Sequence, residues 1–128
     1  MVRNTDGAIR VLYVEDDKHL QLSVSQMLQI LGYEVMCADN GKLGVEKAES
    51  WQPDVILMDM RMPVMSGDQA IRILRNNPAT SAIPVFVLSA YTDAKTRALC
   101  QQAGADKFFS KPPDLRKIDA VIKEMFSD

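Results

Sequence analysis

The chain has 128 residues, with 15 basic and 17 acidic side chains, 47% hydrophobic and 25% charged residues, which is one domain of ordinary globular composition and excludes disorder, collagen and coiled coil. A net charge of -2 leaves no broad basic surface for a nucleic-acid backbone, and the longest apolar runs, such as Val85 to Leu88, fall far below the roughly 20 residues of a membrane span. Two cysteines, Cys37 and Cys100, and one histidine, His19, are too few for a disulfide framework, a zinc site or a Ser-His-Asp triad.

Residues 1–8 read as a polar N-terminal extension without the apolar core of a secretory signal, so the expected location is the cytoplasm. Ile9 to Val14 is a short apolar run rich in β-branched residues that stops at Glu15-Asp16-Asp17, the signature of a buried strand. Lys18 to Leu31 carries Leu20, Val24, Met27, Leu28 and Leu31 at helical spacing, and Gly32 supplies the stop. The alternation continues with a strand at Glu34 to Ala38, a helix at Lys42 to Ser50 and a strand at Asp54 to Asp59. A helix follows over Ser66 to Asn76, with Ser66 as N-cap and Ala70, Ile71, Ile73 and Leu74 on one stripe. Ile83 to Ser89 is a fourth strand, Asp93 to Ala103 a helix ended by Gly104, and Lys107 to Phe109 a short fifth strand. Leu115 to Phe126 is the last helix, with Leu115, Ile118, Val121, Ile122 and Met125 facing inward. The pattern is (βα)5, and because the strand runs are nearly continuous rather than alternating, helices should cover both faces of a parallel sheet.

In open parallel sheets functional groups collect beyond the carboxyl ends of the strands. The first strand ends in Glu15-Asp16-Asp17, the third in Asp59, the fourth in Ser89-Ala90, and the fifth leads through Ser110 into Lys111-Pro112. If the first and third strands are neighbours, three carboxylates converge, and their repulsion is relieved by shifted pKa values or by a hard divalent cation. Oxygen-only ligands with room for water and a phosphate oxygen suit magnesium. Lys111 adds a mobile positive charge and Ser89 a hydroxyl donor, both suited to a phosphoryl group. Taken singly, an acid pair after a strand is as readily a helix N-cap, Lys111-Pro112 a solvated turn and Ser89 an N-cap. The joint occurrence at four strand ends is what points to phosphoryl chemistry.

The runs Val11 to Asp17, Leu57 to Gly67, Leu88-Ser89-Ala90 and Phe108 to Pro112 resemble the receiver domain of two-component response regulators, the CheY-like family, over residues 9–128. The resemblance implies a flavodoxin-like, doubly wound α/β fold with a five-stranded parallel sheet of order 2-1-3-4-5. It implies that Asp59 accepts a phosphoryl group from a phosphohistidine of a sensor histidine kinase or histidine phosphotransfer protein. It further implies that Asp16 holds Mg2+ directly, Glu15 does so through water, and Asp59 and the backbone carbonyl of Arg61 complete the protein ligands. Ser89, with Ala90, would follow the phosphoryl group as the switch, Phe108 would take up the vacated space, and Lys111 would pair with a phosphoryl oxygen. Lys111-Pro112 is expected to be cis. The changed surface, made of the fourth helix, fifth strand and last helix, would meet a downstream effector or a second copy of the chain.

Two departures stand out: Phe108 lies where many members have Tyr, and Pro113 follows Lys111-Pro112 where an apolar residue is usual. Arg61 and Tyr91 occupy positions that tune loss of the phosphoryl group in that family. The competing readings are a small Mg2+-dependent phosphatase with an aspartyl-phosphate intermediate and a flavin or nucleotide module. The first usually needs an Asp two residues after the nucleophile, where this chain has Arg61; the second would be repelled by Glu15-Asp16-Asp17. The sequence ends at Asp128 with no attached effector, and both a stand-alone regulator and a receiver excised from a longer protein, such as a hybrid sensor kinase, are open expectations.

Overall fold

The computed structural model describes residues 7–127; of the expected N-terminal extension, residues 1–6 lie outside them. Ten elements alternate: β1 (Arg10–Val14), α1 (Lys18–Ile30), β2 (Glu34–Ala38), α2 (Gly41–Trp51), β3 (Val55–Asp59), α3 (Gly67–Asn76), β4 (Val85–Ser89), α4 (Ala94–Ala103), β5 (Lys107–Ser110) and α5 (Leu115–Met125). The strands form one parallel sheet in the order β2-β1-β3-β4-β5, which is the flavodoxin-like arrangement. This order makes β1 and β3 direct neighbours and brings the residues just after Val14 beside Asp59.

Period-two alternation along the strands divides the core in two. Leu12, Val14, Ile56, Met58, Val85 and Val87 face Ala48 of α2, Ala70, Ile71 and Leu74 of α3, and Cys100 and Ala103 of α4. Val11, Tyr13, Val55, Leu57, Phe86 and Leu88 face Val24 and Leu28 of α1 and Ile118 and Ile122 of α5. The central strands are therefore buried on both sides, as their near-continuous apolar runs required.

Four side chains expected to face inward do not. Met27 is 50% exposed, Leu31 37%, Ile73 42% and Met125 38%. On α1 the inner position is taken by Gln21, which joins Val24 and Leu28. Its amide donates to the carbonyl of Glu15 and to Asp39 Oδ1, so a polar residue inside the helix face serves the strand end rather than the apolar core. At four of the five helix starts a short polar side chain satisfies backbone donors: Asp17 for α1, Asn40 for α2, Asp93 for α4 and Asp114 for α5. Ser66 is the N-cap of α3, and its N–H donates to Gln69 Oε1 at 3.1 Å. Arg75 ties the opposite end of the sheet together, donating to the carbonyls of Gly104, Ser81 and Ile83 and to Asp106 Oδ2.

Candidate functional site

The acid triplet after β1 is divided between two tasks. Asp17 Oδ1 accepts from the N–H groups of His19 and Leu20 at 2.9 and 3.2 Å, so it is spent on capping α1. Glu15 and Asp16 are left for the site. Carboxylate oxygens of Glu15, Asp16 and Asp59 all lie within 4.8 Å of one another. Glu15 is 1% and Asp59 5% exposed, and Asp16 forms the solvent side of the cluster.

Lys111, just after β5, reaches across β4 and β3 to this cluster. Its Nζ lies 2.8 Å from Glu15 Oε1 and 3.1 Å from Asp59 Oδ1. The Lys111–Pro112 bond is cis. Burial pushes the Asp59 carboxyl up, the Glu15 charge adds to that, and Lys111 only partly opposes it, leaving the group at about 6. Burial pushes Glu15 up as well, but hydrogen bonds from Lys111 and from the Asp17 N–H outweigh it and hold that carboxyl below its ordinary value. Asp16 is pushed up by desolvation and by its contact with Glu15. Desolvation draws the Lys111 ammonium down, and its two carboxylate partners more than restore it. The two buried acids thus share one lysine unequally, with Glu15 the better served.

Ser89 ends β4, is 1% exposed, and its Oγ accepts from Tyr91 N–H at 3.0 Å. It is therefore no helix cap; Asp93 has that role in α4. A cleft of about 120 Å³ is lined by Asp59, Arg61, Ser89, Ala90, Tyr91 and Lys111. The Arg61 guanidinium lies 3.9 Å from the Tyr91 ring centroid, a cation–π contact between two exposed side chains at the rim of the cleft. Phe108 is half-buried on β5, with the Arg97 guanidinium 4.6 Å from its ring centroid.

The loop from β3 to α3 is held close to the strand end. Gly67 N–H donates to the Met60 carbonyl at 2.9 Å, and a Cβ on Gly67 would stand 2.5 Å from the Asp59 carbonyl oxygen, so only glycine permits this approach. Within the loop Val64 takes φ 73° while Met65 N–H donates to the Pro63 carbonyl at 2.8 Å. A β-branched residue in this tight three-residue turn is strained.

The structure brings together Glu15, Asp16, Asp59, Ser89, Ala90 and Lys111, with Arg61 at the rim, and places Phe108 one strand away. Sequence reasoning missed Tyr13, whose hydroxyl donates to Glu15 Oε1 at 3.3 Å. The signal was present in the two-residue strand period, which puts Tyr13 and Glu15 on one face. It also missed the Arg97–Phe108 contact, for which a linear sequence offers no signal.

A family model described as the response regulator receiver domain matches residues 11–123. Protein PilH of Pseudomonas aeruginosa is 36% identical over 117 residues, covering 88% of this chain and 97% of that protein. Other curated relatives are longer, and the chain spans 24% to 55% of their length. Among solved structures, the Vibrio cholerae chemotaxis protein CheY4 is similar at a TM-score of 0.86 and 28% identity, covering 92% of this chain and 98% of that one. The receiver domain of a Pseudomonas aeruginosa sensor histidine kinase, solved with magnesium coordinated in its active-site cleft, matches at a TM-score of 0.85 and 31% identity, covering 92% and 97%.

Proposed function

The chain belongs to the response regulator receiver domain family of two-component systems, and from that premise we propose that Asp59 is its phosphoacceptor within a receiver spanning residues 9–128. Receiver domains are signalling domains that interact with histidine kinases and with downstream output domains. The observation that carries the assignment to Asp59 is the convergence of Lys111 on Glu15 and Asp59, at 2.8 and 3.1 Å, with Asp16 in the same 4.8 Å cluster. Glu15 and Asp59 are both buried, but of the three acids only Asp59 lines the cleft together with Ser89 and Lys111.

The donor set fits the ion the family uses. Three carboxylates offer hard oxygen ligands and no sulfur or imidazole, which suits Mg2+ rather than zinc. Asp16, Asp59 and the Arg61 carbonyl would hold it, with Glu15 acting through water. When bound, it supplies positive charge against the phosphoryl oxygens and the acid cluster. The protein's own groups do the rest. An Asp59 carboxylate oxygen attacks the phosphorus of a phosphohistidine, the new O–P bond forms as the N–P bond breaks, and the imidazole leaves with its electron pair. Lys111 pairs with a phosphoryl oxygen, Ser89 donates a hydrogen bond to another, and Ala90 lines the same cleft.

The product is an altered surface rather than a released compound, and the chain acts as a switch that assists only its own phosphorylation and hydrolysis. Its donor is a sensor histidine kinase or a histidine phosphotransfer protein, and its working face is α4-β5-α5, toward an effector or a second copy. Among the described residues no helix is long and apolar enough to cross a membrane, and a cytoplasmic setting agrees with the kinase partner. The test is incubation with acetyl phosphate and Mg2+ followed by intact-mass and peptide analysis. Asp59 should be the modified residue, Asp59→Asn should abolish modification, and omission of the divalent ion should suppress it. Stoichiometric phosphate elsewhere with Asp59 free overturns the assignment.

A further inference from the structure

Tyr13 sits in the middle of β1 and is fully buried. Its ring fills space in the core shared with Val24, Leu57 and Ile118, a task that phenylalanine would perform equally well. The hydroxyl is different. A phenol O–H removed from water is unfavourable unless it finds an acceptor, and the acceptor here is Glu15 Oε1 at 3.3 Å.

That oxygen also accepts from Lys111 Nζ at 2.8 Å, while Glu15 Oε2 accepts from the Asp17 N–H at 3.2 Å. The backbone of Glu15 is engaged too: its N–H donates to the Ala38 carbonyl, and its carbonyl accepts from the Gln21 amide. Every polar group of Glu15 is therefore held. Tyr13 is the holder beneath it, anchored in the packed core rather than on a loop, and so the one least able to move.

We propose that Tyr13 is a positioning residue of the acid cluster: its hydroxyl fixes Glu15 Oε1 on the Lys111 side and remains that oxygen's side-chain donor when the ammonium is drawn toward a phosphoryl group on Asp59. The inference rests on the receiver reading of Asp59 and Lys111. A phosphoryl oxygen carries more charge than a carboxylate oxygen and competes for the ammonium. Without Tyr13, Glu15 then loses its side-chain support at the moment its orientation toward the ion matters, as happens when the groups behind metal ligands are removed.

Tyr13→Phe keeps the ring and deletes only the hydroxyl. Calorimetric titration with Mg2+ should show roughly tenfold weaker binding than wild type, within the range expected for loss of a supporting group behind a ligand. Tyr33→Phe is the control, because Tyr33 also donates to a carboxylate, Asp119 Oδ1, but before β2, at the opposite end of the sheet; its Mg2+ affinity should equal wild type. Tyr13→Phe binding within about twofold of wild type, or equal weakening in both variants, overturns the proposal. Should Tyr13→Phe fail to fold, ring-labelled wild-type protein decides: the Tyr13 Cζ resonance should move with the same midpoint as the Mg2+ titration, and an unmoved resonance overturns the role. Wild-type protein that binds no Mg2+ is a separate result, which removes the reading of the site itself.

Discussion

Lys111 and Asp59, from the ends of β5 and β3, meet at 3.1 Å, and the same ammonium holds Glu15 at 2.8 Å. One cation thus stands between two buried acids. Removing it leaves two carboxylates that are 1% and 5% exposed facing each other without compensation. Loss of one partner from a buried ion pair costs about 3–5 kcal/mol. Lys111→Met should therefore lower stability by that order in urea denaturation at pH 7 without divalent ions. Millimolar Mg2+ should restore more stability to the variant than it adds to wild type, because the ion then replaces a missing charge. Equal Mg2+ increments in the two proteins would show that Lys111 does not neutralise the cluster.

The Asp59 carboxyl sets a pH dependence of its own. Asp59 is raised from 3.8 to about 6, chiefly by burial and then by Glu15. A raised acid means the folded state binds the proton more tightly than the unfolded state. Its favourable contribution is complete below the unfolded value near 4 and is lost as pH rises through about 6. Glu15, held low by Lys111 and Asp17, works in the opposite sense, so the net slope is shallower than Asp59 alone would give. Asp59→Asn removes the penalty and should raise stability at pH 7 by about 1–3 kcal/mol without divalent ions, with a gain at pH 4.5 of roughly a third of that. Urea melts at the two pH values check this; a variant no more stable than wild type at pH 7 contradicts it.

Most of the frame and of this cluster was legible in the chain because both obey local rules. Continuous apolar runs such as Val11 to Val14 and Val85 to Leu88 marked strands buried on both faces, and the strand ends carried the chemistry. The division of labour within Glu15-Asp16-Asp17 was less legible. Capping and ion binding draw on the same residue types, and only the turn geometry shows that Asp17 caps while Glu15 turns inward. Helical periodicity overstated the buried face of α1 because Gln21, polar by composition, occupies the inner row to hold the Glu15 carbonyl. Contacts between distant elements, such as Arg97 on Phe108, have no period at all.

The rim pair should govern how long a phosphoryl group survives. Arg61 and Tyr91 stack at 3.9 Å and both line the Asp59 cleft, on the side from which an attacking water would have to enter if the pair screens it. An exposed cation–π contact is worth about 0.5–1 kcal/mol, which corresponds to a factor of about 2–5. Tyr91→Ala should shorten the lifetime of phosphorylated Asp59 by that factor while leaving the fold unchanged, since Tyr91 is 49% exposed. Loss of label from purified phosphoprotein measures it directly, and an unchanged half-life removes the pair from the account.

The output should depend on Arg97 as well as Ser89. A phosphoryl group would give the Ser89 O–H an acceptor, and drawing the side chain toward it would stretch the bond that Ser89 Oγ accepts from Tyr91 N–H. Movement of Ser89 toward Asp59 would open space on the sheet face that Phe108 shares, since Phe108 pairs with Val87, two residues before Ser89, and Ser110 pairs with Ser89 itself. That ring is already held from the solvent side by Arg97 at 4.6 Å, and turning it inward gives up this contact. Changing a two-state balance from 1:99 to 99:1 requires about 5.5 kcal/mol of preference, close to the limit of one charge-assisted hydrogen bond and one ion pair. Switching in the isolated chain should therefore be incomplete, and Arg97→Ala, by removing about 0.5–1 kcal/mol that holds the ring outward, should make it more complete. With a beryllium fluoride mimic, amide shifts of residues 91–115 should lie further along the wild-type displacement in Arg97→Ala and fall short of it in Ser89→Ala. Shifts confined to the surroundings of Asp16 and Asp59 in every variant would show that β4 and β5 do not carry the signal, even with phosphorylation intact.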